Sequence, residues 1–152
     1  MSDNGEYEEA KEVYERFLAG KMKVLGEDYK QTLMTLNNLG LVYYDLKNYE
    51  KALEYWERTL EGKEQMSGKS HPSTLTTVMN IANIYNALEN YGKAKEIYER
   101  VLEGYEAQVG KYHEDTKRCA KNFSLCLNKS GNVGRLAELI KGYPGLAFEE
   151  VD

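Results

Sequence analysis

The sequence repeats itself with a period of 42 residues. Tyr7, Tyr49 and Tyr91 are evenly spaced, since 49−7 and 91−49 both equal 42. The same step separates four further triplets: Ala10, Ala52 and Ala94; Arg16, Arg58 and Arg100; Gly26, Gly68 and Gly110; and Asn38, Asn80 and Asn122. A fixed period of this length indicates a stack of similar units, each covering the apolar face of its neighbour. Such a stack predicts an extended binding surface rather than a single catalytic cleft.

The composition narrows the class of protein further. A chain of 152 residues is long enough for one domain, and 41% hydrophobic against 30% charged residues indicates a globular protein. The net charge of −5 disfavours nonspecific binding to nucleic acid or a membrane surface. We find no apolar run that could span a membrane and no signal-peptide pattern at the N-terminus. These features predict a cytoplasmic protein.

Each unit contains two amphipathic helices. Apolar residues recur at steps of three and four from Tyr49 onward, and Pro72 suits the first turn of the helix that follows. We call the helix that starts at Tyr49 type B and the one that starts at Pro72 type A. A short turn leads back into the next type B helix, so the pairs form antiparallel hairpins. Seven helices are predicted, alternately of type B and type A, at about 7–25, 30–46, 49–66, 72–88, 91–109, 114–130 and 133–141.

The pattern begins inside a unit, because the first type B helix has no type A helix before it. We therefore predict a repeat array over residues 1–141, with units starting near 7, 49, 91 and 133, and a flexible acidic tail over 142–152. Two explanations stand: the sequence is a piece of a longer array, or Val13, Phe17 and Leu25 form an uncovered apolar face, which predicts a homodimer.

Small residues recur at equivalent helical positions. Gly40 and Ala52 are examples from the two helix types, and they predict close approach of the paired helices, with Trp56 filling a larger gap beside them. Gly20, Gly62 and Gly104 lie inside the type B helices, where each costs about 1 kcal/mol relative to Ala. Two explanations stand for these glycines: close approach of the next repeat's backbone, or copying by duplication without a purpose.

Residues 36–43, which read Leu-Asn-Asn-Leu-Gly-Leu-Val-Tyr, and residues 49–53, which read Tyr-Glu-Lys-Ala-Leu, resemble a tetratricopeptide repeat. The unit length is similar to that of the kinesin light chain variety, and the resemblance covers about residues 3–141. The helix-B glycine departs from that variety. In the last unit, Val133 replaces Tyr and Leu136 replaces Ala, which is typical of a terminal cap.

The resemblance implies an all-α, right-handed superhelix (an α-solenoid) of about three and a half repeats, with the type A helices lining the concave face. It also implies that an extended peptide binds there and that Asn38, Asn80 and Asn122 hold the peptide backbone. An amide offers two donors and an acceptor, which suits that task. The alternative is that these asparagines bridge neighbouring helices.

Helical neighbourhood extends the predicted groove along each type A helix. The further candidates are Met34, Asn37, Leu41 and Asp45 on the first, Thr76, Met79, Asn83 and Ala87 on the second, and Arg118, Lys121, Leu125 and Lys129 on the third. The third wall is basic, which predicts a partly acidic peptide. The alternative is that these cations are solvated helix charges.

The last four residues, Glu149, Glu150, Val151 and Asp152, look like the C-terminal signature of cytosolic heat-shock chaperones, which tetratricopeptide domains capture with a carboxylate clamp. Asn80 and Arg118 match that clamp in part, whereas Asn37, Leu41 and Asn122 do not. Head-to-tail self-association through this tail is therefore one hypothesis, and a coincidental match of four residues is the other.

We predict no catalysis, no cofactor and no metal site. His71 and His113 occupy equivalent loops 42 residues apart, without a third ligand in register. Cys119 and Cys126 are too far apart along one helix to form a disulfide and are predicted to be buried. The sequence thus predicts a protein–protein interaction scaffold that binds a peptide of another protein. The rival is a self-assembly module.

Overall fold

The computed structural model describes residues 29–148 together with Gly5, Glu8, Glu9, Lys11, Glu12 and Glu15. Within the range 29–148 the chain forms six α-helices and a terminal 3-10 helix, with no strand. The elements are α1 (Tyr29–Asp45), α2 (Tyr49–Ser67), α3 (Pro72–Ala87), α4 (Tyr91–Gln108), α5 (Glu114–Ser130), α6 (Val133–Gly142) and the 3-10 helix Pro144–Phe148. The predicted all-α class of paired helices is confirmed.

From residue 29 onward, every helix begins and ends within one residue of its predicted position. Helices α1, α3 and α5 are the type A helices, and α2, α4 and α6 are type B. The first predicted helix lies mostly outside the described residues, although Glu8, Lys11 and Glu15 are helical there. Val13, Phe17 and Leu25, on which the dimer prediction depends, also lie outside the described part.

The chain divides into two compact units, residues 1–68 and 69–152. In the first unit α1 packs against α2. In the second unit α3 packs against α4, and α5 packs against α3, α4 and α6. None of the helices in the described residues is long and apolar enough to cross a membrane.

Asparagine caps the N-termini of α2, α4 and α6, the three type B helices described from residue 29 onward. The bonds run from the backbone N–H of Lys51 to Asn48 Oδ1 (3.3 Å), of Lys93 to Asn90 Oδ1 (3.3 Å), and of Arg135 to Asn132 Oδ1 (3.2 Å). Each cap satisfies a backbone donor that has no partner within the helix, which is worth roughly 0.5–2 kcal/mol. The repeat therefore copies helix starts as well as core positions.

Histidine caps the type A helices of the second unit in the same way. The backbone N–H of Ser73 donates to Nδ1 of His71 at 3.1 Å, and that of Asp115 donates to Nδ1 of His113 at 3.0 Å. This explains why the two histidines are 42 residues apart, and it gives both of them a role in ending the loop and starting the helix.

Two predicted glycine roles are refined by the packing. A Cβ on Gly40 would lie only 2.3 Å from Trp56 Nε1, so this glycine makes room for the indole ring rather than for another small residue. A Cβ on Gly104 would lie 2.9 Å from Leu75 Cδ1. The partner of Gly104 is therefore a side chain of the preceding helix α3, which corrects the expectation that it meets the backbone of the next repeat.

The first part of the predicted tail forms the 3-10 helix Pro144–Phe148, and Leu146 within it is buried. The prediction of a flexible tail did not anticipate this turn. Glu149, Glu150, Val151 and Asp152 lie outside the described residues, so the resemblance of the tail to a chaperone signature stays a prediction.

Candidate peptide-binding surface

Helix α5 carries the charged part of the predicted surface. It holds four cations and two carboxylates, whereas α3 has no charged residue. Arg118, Lys121, Leu125 and Lys129 are all exposed, as their spacing along one helical stripe predicts. The opposite side of α5 packs into the core through Phe123. The predicted basic wall is therefore accessible to solvent.

The first turns of α5 hold two of these cations in local ion pairs. Arg118 Nη1 lies 3.1 Å from Asp115 Oδ1, and Lys117 Nζ lies 3.5 Å from Glu114 Oε2. Both cations are about half exposed, at 52%. Exposed pairs of this kind contribute little stability, so a ligand carboxylate can replace the local one at small cost.

The basic wall borders a cleft of about 530 Å³, which we call the basic cleft. One side consists of Lys117, Arg118, Lys121 and Glu114 from α5, with Tyr112 before it, and the other side of residues 142–146. Tyr112 is 84% exposed. Cations beside aromatic and apolar surface can hold a carboxylate and the apolar residue next to it. Sequence reasoning found Arg118 and Lys121 but missed Lys117, although it stands four residues before Lys121.

Contacts of Tyr143 hold the far wall of the basic cleft. Its hydroxyl donates a hydrogen bond to Glu106 on α4, and Lys111 Nζ lies 5.1 Å from the centre of its ring. Burial and the hydrogen bond to Glu106 raise the pKa of the Tyr143 hydroxyl, so it stays protonated as a donor. The residues that follow α6 are thereby tied to α4 and the loop before α5.

Helix α3 places its predicted residues in different environments. Thr76 Oγ1 bonds to the Pro72 carbonyl (3.0 Å) and to the Tyr105 hydroxyl (2.5 Å). Its hydroxyl is therefore engaged in hydrogen bonds within the protein. Met79 is only 2% exposed, which corrects its prediction as a ligand-contacting side chain. Its sulfur lies 3.9 Å from Nδ2 of Asn122, so the neighbouring helix covers this position.

Asn83 and Asn122 meet between α3 and α5. Asn122 Nδ2 donates to Asn83 Oδ1 at 3.5 Å, and the same oxygen accepts a hydrogen bond from the buried Tyr98 hydroxyl. Asn122 therefore bridges neighbouring helices, as the alternative interpretation holds. Asn80 is partly exposed, and its side-chain amide makes no hydrogen bond with the described residues. Of the two equivalent asparagines in this unit, Asn80 is the one available to a peptide backbone.

In the first unit, the predicted residues lie on α1. Met34 is 61% exposed and Leu41 is 43% exposed, and Asn38 is partly exposed, as Asn80 is. Asn37 contributes its backbone, since its carbonyl accepts a hydrogen bond from Trp56 Nε1 at 3.2 Å. The two exposed apolar side chains fit the predicted role of a contact surface.

An ion pair between α4 and α6 packs against helix α5 at Phe123. Arg135 donates to both carboxylate oxygens of Glu99, from Nε and Nη2, each at 2.8 Å. The hydrogen bond from Arg135 lowers the pKa of the Glu99 carboxyl. The guanidinium of Arg135 also lies 5.4 Å from the ring centre of Phe123, which stacks on Tyr98.

The two cysteines are free and buried, as predicted. Burial raises the pKa of the Cys119 thiol to about 12, and it also raises the pKa of Cys126. A thiol held in the neutral form is a poor nucleophile. No cluster of three His, Cys, Asp or Glu side chains that could hold a metal occurs in the described part of the chain.

Antiparallel helix pairs repeated every 42 residues, with an exposed stripe on the type A helices, define a helical repeat protein. Comparison with known families makes this specific: the chain belongs to the tetratricopeptide repeat family, whose profile matches residues 2–65 and 73–134. This repeat forms protein–protein interaction scaffolds, and the fold is typically non-catalytic. No curated protein matches the sequence.

Solved structures with the same fold include two of a Podosopora anserina protein designated a kinesin light chain, with nearly identical TPR-like repeats. One, a variant, has a TM-score of 0.78 at 21% identity over 94% of this chain and 68% of that chain. The other has a TM-score of 0.77 at 21% identity, over 98% and 71%. BtubC (BKLC) from P. vanneervenii has a TM-score of 0.81 at 17% identity, over 94% of this chain and 56% of that chain. The predicted kinesin light chain-like repeat type is confirmed, and at these identities the likeness is one of fold.

Proposed function

We propose that this protein binds an extended, partly acidic peptide of another protein along the exposed faces of its type A helices. The observation that carries the proposal is the row of exposed cations on α5 beside the basic cleft. In a protein of net charge −5, a concentrated positive surface of this kind selects acidic partners. Cytoplasmic location, and the absence of membrane and nucleic-acid partners, belong to the same proposal.

Two kinds of contact hold the peptide. Arg118 and Lys121 bind its carboxylates through charge-assisted hydrogen bonds, which are stronger than neutral ones. The Asn80 amide bonds to a peptide group, satisfying both a donor and an acceptor of an extended backbone. Asn122 supports the surface from beneath through its bond to Asn83. On the first unit, Met34 and Leu41 form a separate exposed apolar surface.

Self-assembly remains the alternative function. The predicted dimer face, represented by Val13 and Phe17, and the tail, Glu149 to Asp152, both lie outside the described residues. Peptide binding is the better supported proposal because Arg118, Lys121 and Leu125 form an exposed surface on α5.

A peptide array tests the proposed function. Short acidic peptides are printed beside copies in which Gln and Asn replace Glu and Asp, and the full chain is the probe. We expect signals from the acidic series that Arg118→Gln/Lys121→Gln abolishes. The matched control Lys51→Gln/Lys93→Gln removes the same charge from two exposed lysines on α2 and α4 and should retain the signals. Equal binding to both peptide series contradicts the proposal.

A further inference from the structure

An acidic segment follows directly after one wall of the basic cleft. Glu149, Glu150 and Asp152 place three carboxylates within four residues. Leu146, only three residues before Glu149, lines the cleft. The sequence therefore joins a strongly negative segment to the edge of the positive surface on α5.

The charges of the basic cleft are complementary to this segment. Lys117, Arg118 and Lys121 line it, and Lys111 lies beside Tyr143 at its rim. Two of these cations are held in surface ion pairs, Lys117 with Glu114 and Arg118 with Asp115. Because such pairs are worth about 0–1 kcal/mol, they leave the cations able to bind another carboxylate.

The acidic segment is also within reach. An extended chain advances about 3.3–3.6 Å per residue, so Glu149 lies at most about 11 Å from Leu146 along the chain and Asp152 about 21 Å. A ligand held on so short a connection has an effective concentration in the millimolar range. A weak contact, with an intrinsic Kd of about 1 mM, would then be occupied about half of the time.

We propose that residues 149–152 occupy the basic cleft of their own molecule and compete there with the acidic peptide. The contact itself is independent of the proposed function, whereas the competition rests on it. The segment acts as an internal competitor, so its charge sets the affinity at which an external peptide is admitted. Salt screens both interactions, because the Debye length falls from about 10 Å at 0.1 M to about 3 Å at 1 M ionic strength.

Spectra of the full chain without any peptide test the contact. We compare two-dimensional ¹H–¹⁵N spectra of the wild type and of Glu149→Gln/Glu150→Gln/Asp152→Asn at low salt. Amide signals from Tyr112 to Lys121 and from Gly142 to Leu146 should shift, by amounts that do not change on dilution. The control Glu57→Gln/Glu61→Gln/Glu96→Gln removes equal charge from exposed sites on α2 and α4 and should leave these signals in place. Unshifted signals in the tail variant, or shifts that vanish on dilution, overturn the proposal.

Affinity for an acidic probe peptide tests the competition. The tail variant should bind the probe about twofold to tenfold more tightly than the wild type, and the difference should disappear at 1 M salt. Binding that is equal in the two proteins overturns the competition. If neither protein binds any acidic peptide, the proposed function fails, whereas the spectra still decide whether the segment occupies the cleft. The two failures are thus distinguishable.

Discussion

Asn122 on α5 donates its side-chain amide to Oδ1 of Asn83 on α3, at 3.5 Å. Asn122 stands one period of 42 residues after Asn80, yet of the two only Asn122 makes such a bond within the described residues. Positions that are equivalent by sequence therefore differ in role, because the side chain of Asn122 has Asn83 of α3 as a hydrogen-bond partner. The repeat predicts that an asparagine occurs at each position, and the neighbouring helix decides what it does.

This difference predicts that substitutions at the two equivalent positions affect different properties, one stability and the other peptide binding. Asn122→Ala should lower the free energy of unfolding by about 1 kcal/mol, since it removes a partner of Asn83 and a cover of Met79. Asn80→Ala should change stability by less than about 0.5 kcal/mol, since it loses no internal bond, but should weaken peptide binding. Urea unfolding and peptide titration measure the two effects. A larger loss of stability in Asn80→Ala would contradict the assignment.

The turns from type A to type B helices predict stabilising substitutions. Lys47 and Glu89 adopt positive φ, at 62° and 64°, and the equivalent third position is Gly131 at 74°. A side chain in this conformation costs about 1–2 kcal/mol, whereas glycine adopts it freely but loses more chain entropy on folding. Lys47→Gly or Glu89→Gly should therefore stabilise the fold by roughly 0.5–1 kcal/mol in denaturant unfolding.

The control for that prediction is Lys51→Gly in the first turn of α2. It introduces the same residue where φ is helical, so it should destabilise by up to about 1 kcal/mol. If Lys47→Gly and Lys51→Gly destabilise equally, the strain at Lys47 is not real.

Gly40 predicts a steric limit between α1 and α2. Its missing Cβ would lie 2.3 Å from the indole ring of Trp56, which is itself held by a bond to the Asn37 carbonyl. Because the ring cannot move aside, Gly40→Ala should cost about 1–3 kcal/mol. Gly92→Ala on α4, where nothing lies within 4 Å, should be neutral or stabilising. Thermal unfolding of both variants decides, and a Gly40→Ala variant as stable as the wild type would refute the packing.

The ion pair between Glu99 and Arg135 predicts a specific pH dependence. Arg135 lowers the pKa of Glu99 in the folded state, so the pair stabilises the fold above the ordinary carboxyl pKa of about 4.3. That contribution is lost as the pH falls through the lowered pKa. Arg135→Gln should therefore destabilise more at pH 7 than in acid, with a remainder from its contact with Phe123.

Urea unfolding of the wild type and Arg135→Gln from neutral to acid pH measures this difference. Arg58→Gln, which removes an exposed pair with Glu54 at 3.2 Å, serves as control and should have the smaller effect at pH 7. A loss in Arg135→Gln that grows in acid would be inconsistent with the direction of the pKa shift.

The sequence predicts the helices to within one residue because period, proline and turn residues fix their ends locally. It does not predict that Met79 is buried while Lys121, its equivalent one period later, is exposed. Burial depends on which helix lies alongside, and Asn122 of α5 covers Met79. The sequence does not predict the basic cleft for the same reason. Lys117 becomes part of a binding surface only because residues 142–146 lie opposite it in the fold.

The most direct test of the account is the affinity of the full chain for the acidic peptide that gives the strongest array signal, measured by fluorescence anisotropy. We expect Arg118→Gln/Lys121→Gln to weaken binding at least about tenfold, equivalent to about 1.4 kcal/mol, and Lys51→Gln/Lys93→Gln to change it less than about twofold. Circular dichroism confirms that both proteins stay helical. Equal affinities of the two double variants would contradict the claim that the basic wall of α5 selects the ligand.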